Sequence, residues 1–142
     1  MKKVLALDLG VKRIGIAISD SMRFLATGKE SYITKGEKED FNYILSVIED
    51  NDVDTVVIGL PVNMNGTEGE KAAFSRIFAD KLKQLSPSLN IVLFDERLTT
   101  SAAERYLLEA DVSRKKRKQV IDKLAATIIL QNYLDSKGNK LY

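Results

Sequence analysis

Residues 54–60 constrain the fold more than any other stretch. Val56-Val57-Ile58-Gly59-Leu60 is apolar at odd and even positions alike, so a strand built from it cannot face water on either side, and Pro61 ends it. A sheet with such a strand at its centre must carry helices on both faces, and the rest of the chain supplies them. Val4–Gly10 and Ile14–Asp20 are two short apolar runs separated by Val11-Lys12-Arg13, which is hairpin spacing. A weaker strand covers Ser31–Thr34, and Phe41, Ile44, Leu45 and Ile48 then recur at helical spacing up to Asn51.

Beyond the central strand, Thr67-Glu68-Gly69-Glu70 has the spacing of a capping box. It predicts a helix whose stripe is Ala73, Phe74, Ile77, Phe78, Leu82 and Leu85, closed by Pro87. Asn90–Phe94 is the last strand, Thr100 or Ser101 opens a short helix to about Ala110, and Ser113 opens a longer one to about Ser136. The order β-β-β-α-β-α-β-α-α predicts one α/β domain over residues 1–142. Its mixed five-stranded sheet is a β-meander followed by βα units, flanked by helices. This order resembles the ribonuclease H-like fold.

At 142 residues the chain suits one domain with a proper core, and no segment approaches the roughly 20 apolar residues of a membrane span. The N-terminus lacks the pattern of a secretory signal, and cytoplasm is the expected location. Histidine and cysteine are both absent from the sequence. That excludes imidazole bases and ligands, hydrolytic triads, thiolate nucleophiles and thiolate metal sites. Catalysis must use carboxylates, hydroxyls, lysines, tyrosines or a hard metal ion.

Three acids are candidates to hold such an ion. Asp8 shares a strand face with Val4 and Ala6, and an isolated carboxylate at the inner end of a buried strand must be paired or bound to a cation. On the last strand Glu96 shares the phase of Val92 and Phe94, and Asp95 that of Ile91 and Leu93. Alternation alone leaves both open as the functional acid, and the phase of Phe94 favours Glu96. Asp122 precedes Ala125, Ala126, Ile129 and Tyr133 on one helical stripe. Three carboxylates converging from separate elements suit Mg²⁺ or Mn²⁺, and two such ions roughly 3.5–4 Å apart can drive phosphodiester cleavage without histidine. In the competing reading each acid has a purely structural role. Asp8 then caps a turn, Glu96 pairs with Arg97 or Arg105, and Asp122 pairs with Lys118 or Lys123.

Charge is uneven along the chain. Residues 112–142 carry eight Lys and Arg against two Asp and Glu, and residues 1–111 carry fourteen against eighteen. Arg114-Lys115-Lys116-Arg117-Lys118 concentrates this excess one helical turn, about 5.4 Å, before Asp122. Such a run attracts polyanions or forms a solvated helix face. No aromatic residue interrupts it, so base stacking is not its main mode.

Four blocks in order resemble the YqgF family of bacterial resolvase-type nucleases. They are Ala6–Gly10 with Lys12–Asp20, Val57–Pro61 with Asn65–Thr67, Asp95–Thr100, and Ile121–Ala126. The resemblance spans nearly the whole chain. It implies a ribonuclease H-like fold and a metal-dependent nuclease acting in 5′-end maturation of pre-16S ribosomal RNA or, by analogy with junction resolvases, on branched DNA. Asp8, Glu96 and Asp122 match the family's metal-binding and catalytic acids, with Lys12, Arg13, Arg97 and the run Arg114–Lys118 placed to hold phosphates. Two other classes compete. A sugar-kinase-like phosphotransferase would share Asp8-Leu9-Gly10 but needs two such domains; a non-catalytic module would use the basic helix alone.

Overall fold

The computed structural model describes residues 2–97 and 114–138, with residues 114–123 described as helical backbone only. Five strands are present: β1 (Lys3–Leu9), β2 (Arg13–Ser19), β3 (Ala26–Ile33), β4 (Val53–Leu60) and β5 (Asn90–Asp95). The helices are α1 (Glu37–Asp50), α2 (Glu70–Leu85) and α3 (Arg114–Gly138). The expected short helix over 100–110 lies outside the described residues. The sheet order is β3-β2-β1-β4-β5, with β1–β2 and β2–β3 antiparallel and β1–β4 and β4–β5 parallel. This is the expected meander followed by parallel additions.

Alternation along each strand divides the interior in two. Leu5, Leu7, Val56 and Ile58 point to the α1–α2 side, where Phe41, Ile44, Phe78 and Leu82 meet them. Val4, Ala6, Ala17 and Val57 point the other way, against Ala126, Ile129, Leu130 and Tyr133 of α3. Small residues line much of this second face, so α3 comes close to the sheet. Asp8 follows Val4 and Ala6 in phase and therefore lies on the α3 side.

Two local expectations change. β3 begins at Ala26, five residues earlier than its sequence suggests, because its exposed edge residues carry no apolar alternation and pairing with β2 holds them instead. The buried face of α2 is Ala72, Ser75, Phe78, Ala79 and Leu82. Ala73, Phe74, Ile77 and Leu85 are exposed, so the stripe is turned by about one residue from the one that bulk alone predicts. Small residues let the helix lie close to the sheet, and the Ser75 hydroxyl is satisfied by donating to the Lys71 carbonyl at 3.2 Å. The helix cap also differs. Gly69 is the N-cap and no side chain caps the helix, because Thr67 is engaged in the preceding loop with Asn63 and Asn65.

Ile129 is fully buried where α3 crosses β4. Ile129→Ala is expected to cost about 2–5 kcal/mol, read as a lower urea midpoint with an unchanged slope.

Candidate active site

The parallel pairing of Leu7 with Ile58 carries β1 and β4 forward to Asp8 and Gly59 in the next row. On its other side Asp8 pairs with Gly15 of β2. Asp8 thus sits in a row flanked by glycines. Other groups approach both, and at Gly59 the approach leaves no room for a side chain. A Cβ on Gly59 would stand 2.6 Å from Glu96 Oε1 and 2.9 Å from Ile129 Cδ1, and one on Gly15 would stand 3.3 Å from Asp8 Cβ and 3.5 Å from Ala126 Cβ. A glycine inside an otherwise apolar strand is the sequence sign of such an approach, and at Gly59 the sequence reading did not use it.

Glu96 is the first residue after β5, its N–H donating to the Leu60 carbonyl at 3.2 Å, and its carboxyl group lies over Gly59 on the α3 side. Its titration records its surroundings. Burial first, then the hydrogen bond and charge of Asp8, then the charge of Asp95, push Glu96 up to about 8, with Lys71 pulling the other way. Asp8 and Glu96 therefore meet as a carboxyl pair that holds a proton between them near neutral pH. Asp95 does something different. It points away from this face and takes Arg97 in a two-pronged ion pair, with Nη2 to Oδ2 at 2.6 Å and Nε to Oδ2 at 2.9 Å. The Arg97 guanidinium, helped by the Arg97 N–H, holds the Asp95 carboxyl below the usual range. Arg97 is thus engaged by Asp95, not by Glu96.

Of the other expected residues, Lys12 and Arg13 lie at the same end of the sheet as Asp8. Lys12 and Arg13 are exposed on the β1–β2 turn, immediately beyond Asp8. This turn is firmly built: the Gly10 N–H donates to the Arg13 carbonyl at 2.8 Å, and the Lys12 carbonyl accepts from Thr34 N at 3.0 Å and Thr34 Oγ1 at 3.2 Å. Gly10 is needed there, since a Cβ would stand 2.6 Å from the Arg13 carbonyl oxygen. Asp122 is helical, one turn before Ala126 on α3, and Arg114–Lys118 form the start of that helix; the side chains of these residues lie outside the described ones. Sequence reasoning missed Lys71, whose charge acts on Glu96 from the first turn of α2. Its only signal is its position just after the loop that follows β4.

Among the described residues no group of three or more acids is assembled to hold a metal ion. The pair itself fits one in its chemistry. Its donors are carboxylate oxygens only, the set preferred by hard cations, and a cation would relieve the repulsion that a proton relieves in its absence. Among the described residues no helix is long and apolar enough to cross a membrane.

Two solved structures superpose on nearly the whole chain. One is Thermus thermophilus RuvC in complex with a Holliday junction substrate, with a TM-score of 0.56 and 10% identity over 96% of both chains. The other is the fowlpox virus Holliday junction resolvase, with a TM-score of 0.55 and 10% identity over 94% of this chain and 98% of that one. The sheet and the helices on its two faces are those of a ribonuclease H-like fold. Residues 2–136 match the family model described as "RuvX: Holliday junction resolvase". A relative from Staphylococcus epidermidis, named "Putative pre-16S rRNA nuclease", is 53% identical over 136 residues, covering 94% of this chain and 96% of its own. A relative of the same name from a Geobacillus species is 52% identical over 137 residues, covering 95% and 99%. The chain belongs to the RuvX family, which is the YqgF family that its sequence motifs resemble.

The acid pair makes stability depend on pH in a defined direction. A carboxyl group whose folded value lies above its unfolded one binds more protons in the folded state, so its contribution is complete below the unfolded value near 4.5 and is lost as pH rises through about 8. In chelator the melting temperature is expected to fall between pH 5 and 9, and Glu96→Gln is expected to flatten that fall. The lowered groups Asp20, Glu68 and Asp95 act on the acid side of this window.

Proposed function

We propose that this chain is a divalent-metal-dependent nuclease that hydrolyses phosphodiester bonds, acting in the cytoplasm on the 5′ end of pre-16S ribosomal RNA. The observation that carries the reading is the pair of carboxyl groups from β1 and the end of β5, held together on one face of the sheet against their mutual repulsion. A structural pair of this kind is costly, and perturbed acids of this kind concentrate at working sites. The choice of ribosomal RNA is supported by the naming of relatives that cover nearly the whole chain at about half identity.

Asp8 and Glu96, with Asp122 from α3, would hold Mg²⁺ or Mn²⁺. When bound, such ions supply charge for an attacking water and for the leaving oxygen. The remaining work belongs to the chain's own cations. Lys12 and Arg13 would take a phosphate beside the acids, and the turn fixed by Gly10 and Thr34 supports that reading. The basic start of α3 supplies charge for the flanking backbone, contacts that bind any sequence. Specificity then comes from the shape of the nucleic acid.

A second reading, cleavage of branched DNA, is favoured by the family model's description and by the fold shared with RuvC. One experiment separates the readings. The purified protein, with Mg²⁺ or Mn²⁺, is given a labelled 5′ fragment of 16S precursor and a four-way DNA junction, alongside the Asp8→Asn protein. Cleavage of the RNA alone, lost in a variant that melts normally, is the expected result. Cutting of the junction supports the resolvase reading. Salt-sensitive binding without cleavage of either substrate would make the chain a non-catalytic module, and full activity in the Asp8→Asn protein would sink the site assignment.

A further inference from the structure

Close to the acid pair lies a groove on the α2 side of the sheet. Leu9, Gly10, Val11, Glu70, Lys71 and Phe74 line a cavity of about 340 Å³ between the β1–β2 turn and the first turns of α2. That volume is within the range of small-molecule sites, about 300–1,000 Å³. The groove lies on the α2 side of the sheet, round the strand end from the Asp8 carboxyl, and its Lys71 is the cation whose charge reaches Glu96, so the groove opens close to the acid pair. Its walls are unusual for a surface. Phe74 is 55% exposed and Val11 86%, although α2 already has a complete buried face without Phe74. Large apolar side chains clustered at solvent beside a charged centre mark a binding surface.

The chemistry of the lining narrows the occupant. One cation, Lys71, stands among apolar and aromatic walls, with Glu70 on the same helical turn. A paired duplex would bring phosphates to this cleft and leave its walls bare, because its bases are already stacked. An unpaired nucleotide brings both parts: a phosphate for the cation and a flat apolar base for the aromatic ring, the combination by which proteins hold single strands. We propose that the groove receives an unpaired nucleobase adjoining the scissile phosphate, with Phe74 as its stacking face and Lys71 on the neighbouring phosphate. This inference rests on the nuclease reading and gives it a substrate class: strands with a base free of the helix next to the cleavage point. Stacking accepts any base, so the groove sets shape and not sequence.

The test uses full-length Asp8→Asn protein, so that substrate stays intact, and three probes. The first is a duplex with one unpaired 2-aminopurine, the second has an abasic residue at that bulge, and the third is fully paired. Binding is followed by anisotropy, and stacking by 2-aminopurine emission. The unpaired base is expected to bind about 5- to 100-fold more tightly than the abasic bulge, with a change in emission. Phe74→Ala and Phe74→Leu are both expected to remove this preference and the emission change, and Phe74→Tyr to keep them. Phe74 is half exposed, and Phe74→Leu retains apolar bulk, so at least one variant reports on a folded protein. Equal affinity for the three probes, or a loss that is the same for all three in the variants, overturns the groove and leaves the nuclease reading standing. Binding to none of them overturns both.

Discussion

The arrangement at this end of the sheet depends on keeping two acidic groups together. Asp8 and Glu96 come from strands that do not adjoin, with β4 between them, and they meet only because β4 presents Gly59 where any other residue would put a side chain. In water two such carboxylates would separate and ionise. Here the sheet fixes one, the first residue after β5 carries the other, and partial burial reduces the solvent that would shield them. The conflict is resolved by a proton or by a cation, and the donor chemistry is that of a hard cation.

The fold can be understood as the apparatus for this juxtaposition. The α1–α2 side carries the larger side chains and a deep core around Leu5, Leu7, Ile58 and Phe78. The α3 side is lined with alanine and glycine at Ala6, Ala17, Gly15 and Gly59, which lets the helix settle close to the strand ends. The same closeness brings Ala126 of α3 against Gly15, the β2 partner of Asp8. Asp95 contributes by staying out. Its ion pair with Arg97 draws one neighbouring acid to the far side, so that Glu96 alone turns inward.

Much of this was legible in the sequence. The two-sided apolar run at 56–60 marked the central strand, and alternation put Asp8 on the face of Val4 and Ala6 and Glu96 in the phase of Phe94. Burial alone decides such patterns, so a single sequence suffices. The rotation of α2 was not legible. Bulk predicted Phe74 and Ile77 inward, but the helix packs through Ala72, Ser75 and Ala79, because close approach to a sheet rewards small residues as much as large ones. Lys71 and the groove escaped for another reason: they arise where the β1–β2 turn meets α2, a contact that no local pattern encodes. Gly59 was visible as an anomaly in a β-branched strand, yet what crosses above it could be known only from the fold.

If Asp8 and Glu96 hold a divalent cation, it must displace the proton they share. Calorimetric titration of the protein with Mn²⁺ at pH 7, in buffers of different ionisation enthalpy, counts the protons released on binding. Release of about one proton per chain, declining towards zero above pH 9 and absent in Glu96→Gln, is the predicted result. Binding with no proton release at pH 7, or release unchanged by Glu96→Gln, would contradict it.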